Sequence, residues 1–303
     1  MAAWLCFGGL GCSSGPGAAP APTSPQTGST VGPSATVAAP AIESRTGFAS
    51  SPRAYARNAR QAVSPAYRQG LARDGDDWIF STNNGLFRTS GDALTEIVRV
   101  GPAIPPDLAS EGFDHLGDVD IDAETGLLWG PLEKPDKAHP DMRMAAFDAR
   151  TFRFLGSVAV PQHHASFVAF DPVTRTAFGM DQFSDEVLLQ YRMPAPGSDP
   201  STPWEVLGPL PLSRRVARVQ GADVDAVRGV VYLATDDEID GIYAIDLRSG
   251  TVHDVAQMSE PQREGEGIDV TDVSDGPFAG SIHVLSAGGI EPVTFEHFGD
   301  HEG

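Results

Sequence analysis

The 303-residue chain carries 41 acidic against 21 basic residues, a formal net charge of −20, which excludes nucleic acid or an anionic lipid surface as a partner drawn in by long-range attraction. Glycine and proline are abundant, at 33 and 25 residues, as expected where many short strands need many turns. The length fits one large repeat domain or two ordinary ones.

The chain begins with an apolar run, Ala2 to Gly11, far too short to span a bilayer. Followed by Gly11-Cys12-Ser13-Ser14, it resembles the end of a bacterial lipoprotein signal peptide, although no Lys or Arg precedes the run and Leu10 stands two residues before the cysteine, not three. The resemblance implies a signal segment over residues 1–12 and Cys12 as the acylated first residue of the mature chain. It also implies a secreted or membrane-anchored protein of the bacterial envelope that meets the membrane only through its lipid. With Cys6 cleaved off, the mature domain has no disulfide. Residues 13–44 are Gly, Pro, Ser, Thr and Ala with almost no charge, a composition that buries no core and serves as a tether. Gly11 to Gly15 fits the G-x-S-x-G pattern, but it lies at the signal-to-tether junction and not between a strand and a helix, so it is no nucleophile elbow.

Residues 45–303 read as one β-rich domain. Its first part, with Arg53, Arg57, Arg60 and Arg68, is the most basic of the chain, and Arg60 to Val63 reads as an extended strand. Five repeating units follow, opening at Gln69, His115, His164, Gln220 and Glu266, with spacings of 46, 49, 56 and 46 residues. The clearest unit is Val219 to Gly250. ADVDAV alternates, Arg228-Gly229 turns the chain, VVYLAT is β-branched and aromatic, and GIYAIDL alternates again before Ser249-Gly250. One such meander leaves both faces wet and needs stacked neighbours, and the spacing matches one propeller blade of about 40 to 50 residues. The longest step absorbs a Pro-rich insertion, MPAPGSDPSTPW. The fold class is therefore all-β, a single five-bladed propeller and a monomer. The last unit is one strand short, so an N-terminal strand around Arg60 to Val63 is expected to complete it. A six-bladed ring is the alternative, needing a blade within residues 43–66. The tail EHFGDHEG, with His297 and His301, reads as a frayed end.

The blade motifs EGIDV, FVAFDPVTRTAFG and GIYAIDLRSGTV resemble those of bacterial extracytoplasmic propellers of the YncE-like, gluconolactonase-like and esterase-like phytase kind, over Tyr67 to Phe298. That fold hosts hydrolases, lyases and binding modules alike.

Propeller geometry brings the start of each first strand and the end of each second strand to one rim. The openings there are ligand-binding Gln69, His115 and Gln220, with His164 and Glu266 as catalytic acid/base candidates. The second strands end at Asn83, Glu133, Asp181, Asp236 and Ser286. Three residues into the first strands stand Asp118, Asp223 and Asp269, with Ala72 and Phe167 breaking the series. Facing carboxylates repel unless a cation or shared protons offset them, and hard oxygen donors suit a divalent cation, calcium foremost. Zinc or manganese would enter with His115 or His164. The polar ring is also explained without an ion, because Asp near strand starts binds backbone N–H groups. The gluconolactonase resemblance implies a divalent ion held by a Glu, an Asn and an Asp, parts open here to Glu266 or Glu133, Asn83, and Asp181 or Asp236. His139 and Asp141, on the loop after Glu133, stand where a lid would. Two functions follow as expectations: a metal-assisted hydrolase of a lactone, phosphoester or other ester, or a non-catalytic envelope propeller binding a small molecule, glycan or peptide.

Overall fold

The computed structural model describes residues 55–181, 185–237, 241–258, 264–288 and 291–300; the signal segment, the tether, Cys12 and His301 lie outside them. The chain opens with β1 (Tyr55–Ala62). Blade one is the meander β2 (Gly70–Asp74), β3 (Asp77–Thr82), β4 (Gly85–Ser90) and β5 (Thr95–Val100), followed by the short helix α1 (Pro106–Ser110). Blade two holds β6 (His115–Leu116) and β7 (Asp120–Asp122), both paired with β8 (Leu127–Glu133), then β9 (Met142–Asp148) and β10 (Phe154–Val160). Blade three holds β11 (Ala169–Asp171), β12 (Thr176–Gly179) and β13 (Val187–Arg192), with the two-residue pieces β14 (Glu205–Val206) and β15 (Leu210–Pro211) outermost. Blade four is β16 (Val219–Asp225), β17 (Val230–Thr235), β18 (Gly241–Asp246) and β19 (Val252–Gln257). Blade five contributes β20 (Glu264–Asp269), β21 (Ile282–Gly288) and β22 (Glu291–Asp300).

Among the described residues there are five sheets, and their inner strands meet in a cycle: β2 against β7, β7 against β11, β11 against β16, β16 against β20, and β20 against β2. This is a five-bladed propeller, not a six-bladed one. Its core is five apolar layers, one between each pair of neighbouring blades. The layer between blades five and one is the most aromatic, with fully buried Trp78 edge-on to Phe295 at 5.0 Å. Aromatic side chains buried in this way contribute about 2–3 kcal/mol each.

A five-residue turn recurs and explains several joints. Asp122, Asp148, Asp225 and Asp246 each accept from the N–H four residues on, at 2.8 Å, and that fourth residue has positive φ. Gly229 and Gly250 adopt it at φ 71° and 69° without a Cβ penalty, whereas Phe152 adopts it at φ 57° with its ring fully buried.

The strand expected around Arg60 to Val63 begins earlier. β1 pairs antiparallel with β22 from Tyr55 opposite Asp300 to Ala62 opposite Thr294, as the outermost strand of the fifth sheet. Its basic character answers a buried charge, because Arg57 and Arg60 lie 3.3 and 3.9 Å from the fully buried Glu296. The tail is not frayed at His297: that residue lies within β22 and is fully buried. The helix α1 has no counterpart in the sequence reading.

Candidate functional site

The inner strands come together backbone to backbone. A Cβ on Gly117 would stand 2.2 Å from the Ser166 carbonyl oxygen, and one on Gly221 would stand 2.2 Å from that of Glu266. Gly70 and Gly267 are pressed in the same way against Asp118 and Leu71, so Gly70, Gly117, Ser166, Gly221 and Gly267 form a collar of small residues, one per blade. The residue after Gly117 fills the centre. Asp118 is fully buried, and its carboxylate accepts N–H groups from Leu71 at 2.8 Å, Val119 at 3.0 Å, Ala222 at 3.0 Å and Ile268 at 3.4 Å. One side chain of blade two thus joins the inner strands of blades one, four and five across the axis. Burial pushes its carboxyl well up, against the pull of those N–H groups.

The collar corrects the sequence alignment. Gln69, Gln220 and Glu266 stand one residue before it, whereas His115 and His164 stand two before it. The series Asp118, Asp223 and Asp269 is likewise not one set. Asp120 pairs opposite Trp129 as Asp223 pairs opposite Tyr232, and it is Asp120, Asp223 and Asp269 that share a role. Asp120 accepts the N–H of Phe170 at 2.6 Å, Asp223 that of Val270 at 2.7 Å, and Asp269 that of Arg73, each reaching the next blade. Burial first, and for Asp120 and Asp223 the neighbouring carboxyls next, push this trio up. Asp223 reaches about 8 and Asp269 about 6. They lie below the collar and away from the rim.

Above the collar the rim residues fall into two groups. In blades two and three, Glu133 is the hub. Its carboxylate meets Lys137 Nζ at 2.8 Å, the Ala165 N–H at 2.5 Å and His164 Nδ1 at 3.6 Å, and His115 is paired directly opposite it in the sheet. His164 and Lys137 hold the Glu133 carboxyl below its ordinary range although burial opposes them. Burial holds both His115 and His164 below theirs, so both imidazoles are neutral at neutral pH. His163 turns its Nδ1 to the Lys137 carbonyl at 2.9 Å and its N–H to Asp181 at 2.7 Å, leaving His164 as the histidine beside Glu133.

In blades four, five and one the hub is Glu266, buried, hydrogen-bonded to Glu264 and close to Arg68 and Asp236. Burial, then Glu264, pushes its carboxyl well up. Asp236 is bound by Arg218 and lies 3.4 Å from Gln220 Nε2. Gln69 is half-buried at the rim, and the Asn83 side chain is exposed. It is Asn84 that is bonded, its Oδ1 accepting the N–H groups of Ala103 and Ile104 at 2.9 and 2.8 Å. His139 is exposed, and Asp141 pairs with Lys134 at 2.6 Å.

A calcium site needs several oxygens converging at about 2.3–2.6 Å. The four expected donors do not offer that. Glu133 is taken by Lys137 and Ala165, Asp181 by His163, Asp236 by Arg218, and Asn83 is exposed. Among the described residues, no group of three or more His, Cys, Asp or Glu side chains is arranged to hold a metal ion. The donors present do not fit a resident divalent cation.

Lys137, Arg218 and Glu264 were not singled out in the sequence, and Arg68 only as part of the basic stretch. Lys137 had a signal, since it stands four residues after Glu133 and is a natural counter-charge. The collar had a stronger one, the small residue that follows every opening by one or two positions.

No family model matches the chain, and no curated protein does. Among solved structures it is similar to a luciferin-regenerating enzyme, at 14% identity and a TM-score of 0.48 over 76% of each chain. It is also similar to regucalcin, a calcium-binding protein from Agrobacterium tumefaciens str. C58, at 16% identity and a TM-score of 0.47 over 75% of this chain and 74% of that one. The five sheets and the cycle of inner-strand contacts establish the architecture independently of these likenesses: the chain is a five-bladed β-propeller.

Proposed function

We propose that the chain is an envelope-associated binding propeller that takes a hydroxyl-rich small molecule, a glycan foremost, in the cup above the collar and uses no resident metal there. The observation that carries this is the engagement of Glu133, Asp181 and Asp236 by a cation or N–H of the chain itself, with Asn83 exposed. Neutral imidazoles at His115 and His164 both donate and accept, and burial pushes the Glu266 carboxyl of the same rim well up, which suits hydroxyl groups better than a strongly charged ligand. The lipoprotein-like start and uncharged tether support an envelope location.

One observation favours a second reading, metal-independent ester hydrolysis. His164 stands 3.6 Å from Glu133 as a neutral base, on the rim that also carries Glu266, whose carboxyl burial pushes well up.

The test is a glycan-array and calorimetric binding series with chelator present, on the wild type, His164→Ala and Glu133→Gln, with a calcium titration and an ester panel alongside. Binding that persists in chelator and is lost in His164→Ala is expected. Saturable calcium binding lost in Glu133→Gln, or ligand binding abolished by chelator, would overturn the metal-free reading, and turnover of an ester in chelator would select the second.

A further inference from the structure

The turns that follow the inner strands lie at the end of the ring opposite the rim, and there the Pro-rich insertion of blade three encloses a cleft of about 360 Å³ against blade two. The sequence leaves this insertion without a role, and the rim does not involve it.

The cleft is built by the insertion itself. The chain leaves β13 with the Met193 N–H on the Arg175 carbonyl at 2.9 Å, and the Pro194 carbonyl accepts from Arg175 Nη2 at 3.2 Å. Asp199 then turns the chain, its carboxylate accepting the Ser201 N–H at 2.7 Å. The loop crosses to blade two, where a Cβ on Gly156 of β10 would stand 2.5 Å from Ser201 Oγ, and it closes with Trp204 edge-on to Trp129 at 5.0 Å. Pro194, Pro196, Pro200 and Pro203 limit the freedom of this loop, so the cavity is formed before a ligand arrives.

Its lining decides the ligand. The walls are apolar, with Leu127, Trp129, Met193, Pro194, Pro196 and Trp204. The charged residues are Asp122, Glu124 and Asp199 against Arg175 alone. That one cation is committed: it lies 2.7 Å from Asp122 and 3.6 Å from Glu124, and its guanidinium sits 4.9 Å over the Phe170 ring. The side chains of Glu124 and Asp199 are exposed at the mouth. An anion is therefore repelled, and on a chain of net charge −20 the repulsion is reinforced. A sugar finds no open aromatic platform, because Trp129 and Trp204 are only 4% and 7% exposed. A preformed apolar cavity of this size with acidic groups at its mouth matches an apolar body carrying one positive charge.

The geometry points to a second binding site, independent of the rim, that takes a small organic cation: a protonated amine on an aromatic or aliphatic body.

The full chain is titrated at pH 7 with 2-phenylethylamine, 2-phenylethanol and phenylacetate, which share a body and differ in head-group charge, with calorimetry and tryptophan fluorescence as readouts. The amine is expected to bind at least about tenfold tighter than the alcohol, and the acid more weakly than either. Glu124→Gln combined with Asp199→Asn, both exposed, is expected to bring the amine within about threefold of the alcohol. Ser198→Trp, at an exposed position of the insertion, blocks the mouth and removes binding of all three. His164→Ala leaves binding unchanged, which separates this site from the rim. Absence of amine binding at millimolar concentration, equal affinity for the three, or amine binding undiminished by the carboxylate variants would overturn the assignment.

Discussion

His283 and His297 face each other across β21 and β22, fully buried, with their Nδ1 atoms 2.8 Å apart. His283 Nε2 lies 2.7 Å from the Thr271 carbonyl and must donate to it, so His283 Nδ1 is an acceptor and His297 Nδ1 carries the proton between the rings. Among the described residues His297 Nε2 has no hydrogen-bond partner, which leaves it a bare lone pair. A further proton on either ring meets an N–H or an apolar wall that includes Phe278 and Phe295. Burial accordingly drives His283 from 6.5 to about 4 and His297 to about 3, with His283 adding to the fall at His297, and Arg73 adding to it at His283 against the Thr271 carbonyl. Because both folded values lie below 6.5, the unfolded chain binds more protons in this range. The stability from keeping the rings neutral is complete above pH 6.5 and is lost as pH falls towards the folded values. Each ring forfeits about 2 kcal/mol between pH 6.5 and pH 5. Asp223 and Asp269 act in the opposite sense, their folded values being raised, so the wild-type curve alone mixes the two. The difference between His297→Phe and the wild type isolates the histidine. Urea unfolding at pH 7, 6 and 5 is predicted to show the variant gaining about 2 kcal/mol on the wild type across the acid range. A difference that stays constant with pH would refute this tautomer and burial argument.

Other outcomes follow from the same contacts. Gly221→Ala places a methyl 2.2 Å from the Glu266 carbonyl oxygen, so it is expected to destabilise by about 3 kcal/mol or more, or to prevent folding, measured by urea midpoint. Asp223→Asn removes one member of a mutually repelling trio: the stability of the variant relative to the wild type is expected to rise as pH is raised from 5 to 8, because only the wild type must ionise Asp223. Lys137→Met removes a cation that lowers both Glu133 and His164, so the His164 titration seen by NMR is expected to move up.

The repeat was legible because alternating strands, turn pairs and a near-constant spacing are local signals, and they gave the blade count. The register within the repeat was less so. His115 and His164 are conspicuous residue types and drew the alignment to themselves, whereas the small residue two positions later is what the geometry of closely approaching strands requires. That one-residue displacement in blades two and three is also why Asp118 was grouped with Asp223 and not recognised as the side chain at the axis. The strand β1 begins five residues before the segment singled out for it, at Tyr55, because the partner of its basic side chains, the buried Glu296 beside Arg57 and Arg60, lies far away in the sequence. The rim carboxylates were found, but their counter-charges were not, since pairs such as Arg218 with Asp236 and His164 with Glu133 join residues that the sequence separates.

The axis is sealed, with inner strands of four blades meeting on the Asp118 carboxylate in place of a water-filled channel. Hydrogen exchange of the backbone amides of Leu71, Val119, Ala222 and Ile268 tests this directly. They are predicted to exchange only with global unfolding, and to lose protection together in Asp118→Ala. Rapid exchange of any of the four in the native protein, or loss of protection at Val119 alone in the variant, would contradict it.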